Sequence, residues 1–263
     1  MRMLNEQEIH RLAQRSIDAE FSRTEIDPIT LEYPDLTLAT GYMIQKERET
    51  ILTSGGRRVV GGKMGLTSLA KMEQMGAKES TYGKLFDYMQ LGQGQPLEMD
   101  ELIHPRIESE IAFVMERDLC GPHVTSAEVM AATAYVVPAF EIIDSRYKDF
   151  KFKNPDSAAD NLSASRFLLG TQRISPNKLD LRTVGVTISF NGEDRIFAAS
   201  GAVLGHPARA IAAYVNLISR QGDKLKSGEV VLSGAITAAT PLSRGDQVRA
   251  EFQDMGFVEL SAQ

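Results

Sequence analysis

Two glutamates stand two residues apart in an otherwise apolar stretch, IESEIAF, at residues 107–113. If this stretch is a strand, Glu108 and Glu110 face one side and Ile107 and Ile111 the other, because successive side chains alternate. Two carboxylates about 7 Å apart along one strand repel each other unless a positive group lies between them. By itself the pair is equally compatible with a solvated strand face and with a functional site.

A third glutamate, Glu141, lies inside an apolar run, YVVPAFEII, at residues 135–143. An ionised carboxylate in such a strand is costly unless it is paired or bound to a cation. Glu141 therefore belongs either to a buried ion pair, with Arg146 or Lys63, or to a cation site shared with Glu108 and Glu110. All-carboxylate ligation suits Mg²⁺ or Mn²⁺, and no His or Cys pair has the spacing of a zinc site.

A lysine follows two glycines in a short strand-like segment, GGKMG, at residues 61–65. The segment is not a P-loop, because Met64 follows Lys63 where that motif has a hydroxyl residue. Near carboxylates, Lys63 fits a structural salt bridge as well as a group that holds an anion or moves a proton.

The elements that must position these residues can be predicted from their patterns. The C-terminal third alternates strands and turns without crossover helices. This favours an α+β fold, with a mixed β-sheet curled into a roll or barrel, over a parallel doubly wound sheet. Capping boxes, periodicity and turn residues predict helices near residues 5–21, 36–52, 125–134 and 206–220 and strands near 107–115, 135–143, 184–190, 195–199, 230–233, 247–252 and 257–260.

The domain organisation follows from the same patterns. We expect a helical N-terminal part, residues 1–58, and a catalytic β-roll domain, residues 59–263. Residues 67–95 are rich in Met, Gly, Ser and Gln and are predicted to form a loop with a short helix. Long irregular segments often close over sites, so a mobile lid is expected at about residues 67–90.

Composition excludes several classes of protein. The chain has 263 residues, 43% hydrophobic and 24% charged, which is typical of a folded globular protein. One cysteine, Cys120, rules out a disulfide scaffold. The net charge of −6 without a basic run argues against nucleic acid as a partner. No apolar run predicts a signal peptide or a membrane span, so a cytoplasmic location is expected.

The motifs together resemble the fumarylacetoacetate hydrolase superfamily over nearly the whole chain, at least from residue 59 to its end. Within it, they are similar to the hydratase and decarboxylase branch of the catechol meta-cleavage pathway. The motifs that carry the resemblance are GKMGLTS at 62–68, HPRIESEI at 104–111, PAFEIIDSR at 138–146, ADN at 159–161, GHP at 205–207 and GAIT at 234–237.

This resemblance implies a β-roll fold with a helical N-terminal part and assigns roles to residues. It implies that Glu108, Glu110 and Glu141 hold Mg²⁺ or Mn²⁺ and that Lys63 is a catalytic residue. It also implies substrate contacts from five further positions: Leu66, Thr67, Arg146, Ser163 and Thr237.

The resemblance implies one of two main activities. The expected one is metal-dependent decarboxylation of 4-oxalocrotonate (2-oxohex-3-enedioate) to 2-hydroxypenta-2,4-dienoate and CO₂. The alternative is hydration of 2-oxopent-4-enoate, but hydratases of the branch carry an acid before an aromatic-Gly pair, where this chain has Thr81. An acylpyruvate hydrolase and a non-catalytic subunit of a pathway complex are further alternatives. The expected partners are a small 2-oxo dicarboxylate, further copies of the chain and the pathway hydratase.

Overall fold

The computed structural model describes residues 4–68, 72–73 and 78–263. It confirms the predicted α+β class, with a mixed sheet curled into a half-barrel and helices packed around it. The described helices of at least four residues are α1 (Glu6–Ser22), α2 (Ile29–Glu32), α3 (Leu38–Ser54), α4 (Ser126–Ala132), α5 (Asn154–Ala159) and α6 (Pro207–Ser219).

The large sheet carries seven strands in the order β2-β1-β8-β3-β4-β5, with β9 paired to β3. Its pairs are antiparallel except for β1 and β8, which are parallel and make the sheet mixed. The strands are β1 (Val59–Gly65), β2 (Thr81–Phe86), β3 (Arg106–Met115), β4 (Thr133–Ile143), β5 (Ala164–Leu169), β8 (Val230–Leu232) and β9 (Thr240–Pro241).

A second sheet of four antiparallel strands has the order β11-β10-β6-β7. The predicted hairpin turn at Asn191-Gly192 joins β6 and β7, and both residues have the positive φ that such a turn requires. The strands are β6 (Gly185–Phe190), β7 (Glu193–Ala199), β10 (Gln247–Phe252) and β11 (Gly256–Ser261).

Two apolar layers cover the two faces of the large sheet. The main core joins one face to the second sheet and to α6, and includes Ile107, Ile111 and Phe140. On the other face, Ala112, Ala139 and their neighbours pack with Ile17 of α1 and Leu52 of α3. Helices α1 and α3 therefore cover the face that also carries the even-numbered residues of β3, whereas α6 packs on the other face.

The capping boxes predicted at two helix starts are present. Asn5 and Glu8 exchange side-chain and backbone hydrogen bonds at the start of α1, and Thr125 and Glu128 do so at α4. At α6, Pro207 is the first helical residue and the His206 side chain accepts a hydrogen bond from the Ala208 amide. No helix in the described ranges is both long and apolar enough to cross a membrane.

The segment expected to form a lid, at about 67–90, is described only in part. Residues 69–71 and 74–77 lie outside the described residues, but Thr81–Phe86 form strand β2, which is buried along its whole length. Tyr82 stacks on Tyr42 with ring centroids 4.6 Å apart and meets Tyr214 edge-on. This aromatic packing makes β2 part of the core of the described structure, and the lid at about 67–90 stays a prediction.

Candidate active site

The register of β3 and β4 brings the three glutamates together. Glu108 lies directly opposite Glu141, and Glu110 is opposite Ala139, one step further along the same face. One carboxylate oxygen from each glutamate lies within 4.8 Å of the others. The structure thus assembles Glu108, Glu110 and Glu141 into one cluster, called here the carboxylate cluster.

Glu110 lies at the buried end of the carboxylate cluster. Its Oε2 accepts a 2.6 Å hydrogen bond from the Gly234 amide, whereas its Oε1 has no hydrogen-bond partner among the described residues. Burial, and then the charges of Glu141 and Glu108, raise the pKa of Glu110 well above its ordinary value. The charge of Lys63 and the hydrogen bond from the Gly234 amide lower this pKa, but they do not offset burial and the two neighbouring acids.

Lys63 supplies the positive charge that the structure does show. Its Nζ lies 2.9 Å from Glu141 Oε1, and both side chains are buried. Burial by itself lowers the pKa of Lys63, but the charges of Glu141, Glu108 and Glu110 outweigh it and raise that pKa overall. Of the alternatives left open by the sequence, the ion pair of Glu141 is with Lys63 and not with Arg146.

The carboxylate cluster fits a divalent cation with oxygen ligands. Three carboxylates and one ammonium leave two uncompensated negative charges, which such a cation would neutralise. Within the described ranges, Glu141 Oε2 and Glu110 Oε1 are buried acceptors without a hydrogen-bond donor. A purely oxygen donor set suits Mg²⁺ or Mn²⁺ better than zinc.

A cavity of about 550 Å³ opens above the carboxylate cluster. Six of the predicted site residues line it: Lys63, Leu66, Thr67, Glu108, Ser163 and Thr237. A larger groove of about 770 Å³ lies along α1 and α3, but its lining includes no residue of the cluster. The cavity above the cluster is therefore the candidate active site.

Two hydroxyl groups in this cavity are available for a ligand. Ser163 Oγ and Thr237 Oγ1 are buried, and neither has a hydrogen-bond partner within the described part of the chain. Buried hydroxyls are normally satisfied, so these two mark places where polar ligand atoms would bind. Gly234 shapes the same wall: its φ is +100°, and a Cβ there would lie 2.2 Å from Thr67 Oγ1.

Arg146 is the predicted substrate contact that the structure does not bring into the cavity. Its side chain is 1% exposed and is absent from the lining residues. Its Nε donates a 2.5 Å hydrogen bond to Asp160 Oδ1. The structure therefore places Arg146 behind the cavity wall, paired with Asp160.

Sequence reasoning missed Arg106 and Phe150, both of which line the cavity. The Arg106 guanidinium lies over the Phe150 ring, 4.3 Å from its centroid. Arg106 is two residues before Glu108, so the strand periodicity that grouped the glutamates also indicates that Arg106 shares their face. Phe150 carries no comparable sequence signal, because it lies in a short turn with positive φ.

Comparison with known proteins finds relatives that are decarboxylases and hydratases. The chain is 42% identical over 261 residues to 4-oxalocrotonate decarboxylase of Pseudomonas sp. strain CF600, covering 99% of this chain and 98% of that one. It is 36% identical over 256 residues to 2-hydroxyhexa-2,4-dienoate hydratase of Comamonas testosteroni, covering 97% of both.

A solved structure is also similar over the whole chain. The structure of 4-oxalocrotonate decarboxylase from Pseudomonas putida G7, complexed with magnesium and adipate, matches with a TM-score of 0.95 and 38% identity, covering 100% of both chains. The family model for the C-terminal region of fumarylacetoacetate (FAA) hydrolase matches residues 83–261. The chain therefore belongs to the fumarylacetoacetate hydrolase family.

Proposed function

We propose that this protein decarboxylates 4-oxalocrotonate with Mg²⁺, or alternatively Mn²⁺, held by Glu108, Glu110 and Glu141. The observation that carries this proposal is the carboxylate cluster beneath a cavity with unpartnered hydroxyls. The decarboxylases among the similar proteins support the reaction. The complex of one of them with magnesium and adipate, a dicarboxylate, supports the metal and the substrate class.

The proposed reaction removes the C6 carboxylate of the substrate as CO₂. The bond between C5 and the C6 carboxylate breaks, and its electron pair moves through the conjugated chain to the 2-oxo oxygen. Protonation of that oxygen gives 2-hydroxypenta-2,4-dienoate, and CO₂ leaves. A divalent cation bound at such a site supplies Lewis acidity toward the oxygens of a 2-oxo acid.

The chain's own residues stabilise the charge that develops. The Lys63 ammonium lies next to the carboxylate cluster and favours negative charge on the 2-oxo oxygen. We assign the hydroxyls of Ser163 and Thr237, which lack partners among the described residues, to hydrogen bonds with the 2-oxo acid end of the substrate. No general base is required, because breaking the C5–C6 bond itself supplies the electrons.

Arg106 is the residue we assign to the distal carboxylate. No carboxylate of the described residues pairs with its guanidinium, although the side chain is half-buried in the cavity wall. A guanidinium binds a carboxylate by charge-assisted hydrogen bonds. Phe150 and Phe152 beside it keep that end of the cavity partly apolar, which favours loss of a charged carboxylate as neutral CO₂.

The composition of the cavity favours decarboxylation over hydration. Among the described lining residues, Glu108 is the one carboxylate, and it belongs to the carboxylate cluster. Thr81 also lines the cavity, where hydratases of this branch carry an acid. The cavity therefore lacks, within the described chain, a second carboxylate that would direct water.

The decisive experiment measures CO₂ release from 2-oxohex-3-enedioate by metal-stripped protein, before and after Mg²⁺ is added. We expect release that depends on Mg²⁺. A parallel assay offers 2-hydroxypenta-2,4-dienoate and follows water addition. Hydration without decarboxylation would overturn the proposal in favour of the hydratase, and neither activity would overturn both.

We further propose that the protein forms homo-oligomers and contacts the hydratase that consumes its product. The product is an unstable dienol, and direct transfer would protect it from ketonisation. Light scattering of the protein alone, and mixed with the hydratase, tests both parts. A monomeric mass in both samples would contradict them.

A further inference from the structure

A strained turn forms one wall of the cavity. Asn161, Leu162 and Ser163 have φ values of 52°, 52° and 57°, so three consecutive non-glycine residues adopt left-handed backbone. Leu162 and Ser163 line the cavity. Such conformations are costly, and they persist only where surrounding contacts enforce them.

Contacts from the sheet hold the two ends of this turn. The Asn161 amide group accepts from the Lys84 N–H at 2.7 Å and donates to the Lys84 carbonyl at 2.8 Å, which ties the turn to β2. The carbonyl of Ser163 accepts from the Asp144 amide at 2.8 Å. These bonds fix where the two ends of the turn lie.

Arg146 forms hydrogen bonds with the residues immediately before and after the turn. Its guanidinium donates to the carboxylate and to the backbone carbonyl of Asp160, which precedes the turn. The same guanidinium donates to the carbonyl of Ala164, which follows the turn, at 3.1 Å and to that of Asp144 at 2.8 Å. Arg146 is thus a buried cross-link across the base of the turn.

A buried polar chain supports Asp160 from the helices. Ser16 of α1 donates to Asp160 Oδ1 at 3.1 Å, and Arg48 of α3 donates to Ser16 Oγ at 3.0 Å. Arg48 also forms an ion pair with Glu20, whose carboxylate accepts from Tyr88 at 2.9 Å. The N-terminal helices therefore reach the turn through Asp160.

We propose that Arg146 is a positioning residue: with Asp160 and Ser16, it holds residues 161–163 in the left-handed conformation that presents Ser163 Oγ to the substrate. This inference rests on the proposed function. A buried ion pair adds little net stability compared with apolar packing, so its main effect here is geometric. Arg146 acts through Ser163 and does not touch substrate.

The test is a double-mutant cycle between Arg146→Lys and Ser163→Ala in the Mg²⁺-loaded protein. Lysine keeps the charge but cannot replace the hydrogen bonds that Arg146 makes from its three guanidinium nitrogens to Asp160, Asp144 and Ala164, because its three donors share one atom. Each single variant is expected to lower kcat by about 10-fold, the effect of losing one hydrogen bond to the reacting substrate. The double variant should be no slower than Ser163→Ala alone.

Additive effects, a loss of about 100-fold in the double variant, would overturn the inference. So would an unchanged kcat in Arg146→Lys. If that variant does not fold, Ser16→Ala replaces it in the same cycle, since it removes one bond to Asp160. The control is Thr133→Val, which removes a buried 2.7 Å hydrogen bond at the distant end of β4 and should leave kcat unchanged.

A second readout separates this inference from the proposed function. Adipate binding to the Mg²⁺-loaded variants, measured by calorimetry, does not require turnover. Arg146→Lys should weaken adipate binding when Ser163 is present and leave it unchanged in the Ser163→Ala background. If the wild-type protein releases no CO₂, the proposed function fails, while this binding cycle still decides the role of Arg146.

Discussion

Glu108 differs from the other two acids of the carboxylate cluster in exposure. Glu110 and Glu141 are both 0% exposed, whereas Glu108 is half-buried at the cavity surface. The charge of Glu108 also raises the pKa of Glu110, after burial and Glu141. Neutralising Glu108 therefore removes one of the proposed metal ligands and relieves its repulsion of Glu110.

We expect Glu108→Gln to lower metal-dependent turnover by more than about 100-fold while the fold remains intact. Calorimetry with Mg²⁺, CO₂ release and thermal unfolding of the metal-free protein would check this. Glu193→Gln, the same change on the exposed strand β7, should leave all three unchanged. Full activity of Glu108→Gln would remove Glu108 from the proposed ligand set.

Arg106, which we assign to the distal carboxylate of the substrate, should determine how tightly the dicarboxylate binds. Arg106→Met keeps a long side chain over Phe150 but loses the guanidinium. A hydrogen bond to a charged group contributes about 1.5–3 kcal/mol, so the KM for 2-oxohex-3-enedioate should rise by roughly 10-fold or more. Pyruvate, which has no distal carboxylate, should bind the variant as it binds the wild type.

Arg249→Met is the matched control, because Arg249 also lies over a phenylalanine ring, Phe257, at 3.6 Å from its centroid. It lies on β10, outside the cavity lining, and should not affect the KM. Equal losses of pyruvate and dicarboxylate binding in Arg106→Met would show that Arg106 shapes the cavity without selecting the distal carboxylate.

At the level of elements, the start of α6 carries a titratable cap. His206 Nδ1 accepts a 3.0 Å hydrogen bond from the Ala208 amide, which requires an unprotonated nitrogen. Burial lowers the pKa of His206 below its ordinary value of 6.5, and Arg182 and Arg209 add to this, while Asp180 opposes it. The unfolded chain therefore binds this proton more tightly than the folded protein does.

The lowered pKa of His206 makes the stability of the folded protein depend on pH. The contribution of His206 to stability is fully present above pH 6.5 and is lost as the pH falls through its lowered folded-state pKa. His206→Asn keeps a capping acceptor that does not titrate. Between pH 7 and pH 5 the variant should therefore lose less unfolding free energy than the wild type, by up to about 1 kcal/mol, the usual contribution of a cap. Parallel urea titrations measure this, and identical pH slopes would contradict it.

At the level of the whole molecule, the metal site proposed at the carboxylate cluster would link metal binding to stability. The unfolded chain does not bring Glu108, Glu110 and Glu141 together, so Mg²⁺ binds the folded state and stabilises it. At 100 times its Kd, Mg²⁺ should add about 2.7 kcal/mol to the unfolding free energy. Thermal unfolding with and without Mg²⁺ would show this as a rise in Tm.

This stabilisation should depend on pH. Because burial and its acidic neighbours raise the pKa of Glu110, Mg²⁺ competes with a proton there, and its effect should shrink as the pH falls below that raised pKa. Glu108→Gln should show little or no Mg²⁺ effect at any pH. A rise in Tm of the same size in that variant would place the stabilising ion elsewhere.

Local patterns in the sequence were sufficient for much of the architecture and for the cluster itself. Alternation in β3 placed Glu108 and Glu110 on one face, and a lone acid in an apolar strand marked Glu141, because burying an unpaired charge is unfavourable. The same reasoning applies to Arg106, which shares that strand face. The sequence also predicts the capping boxes at Asn5 and Thr125, because each depends on two residues that are three positions apart.

Tertiary structure alone decided which charged groups meet. Lys63 reaches Glu141 because β1 joins β3 through the parallel strand β8, and Arg146 is turned to Asp160 by the loop after β4. Both cations were equally plausible partners of Glu141 in the sequence. Likewise β2 is part of the core because tyrosines from α3 and α6 pack on it. Pairings between distant residues depend on strand order and packing, which local patterns do not encode.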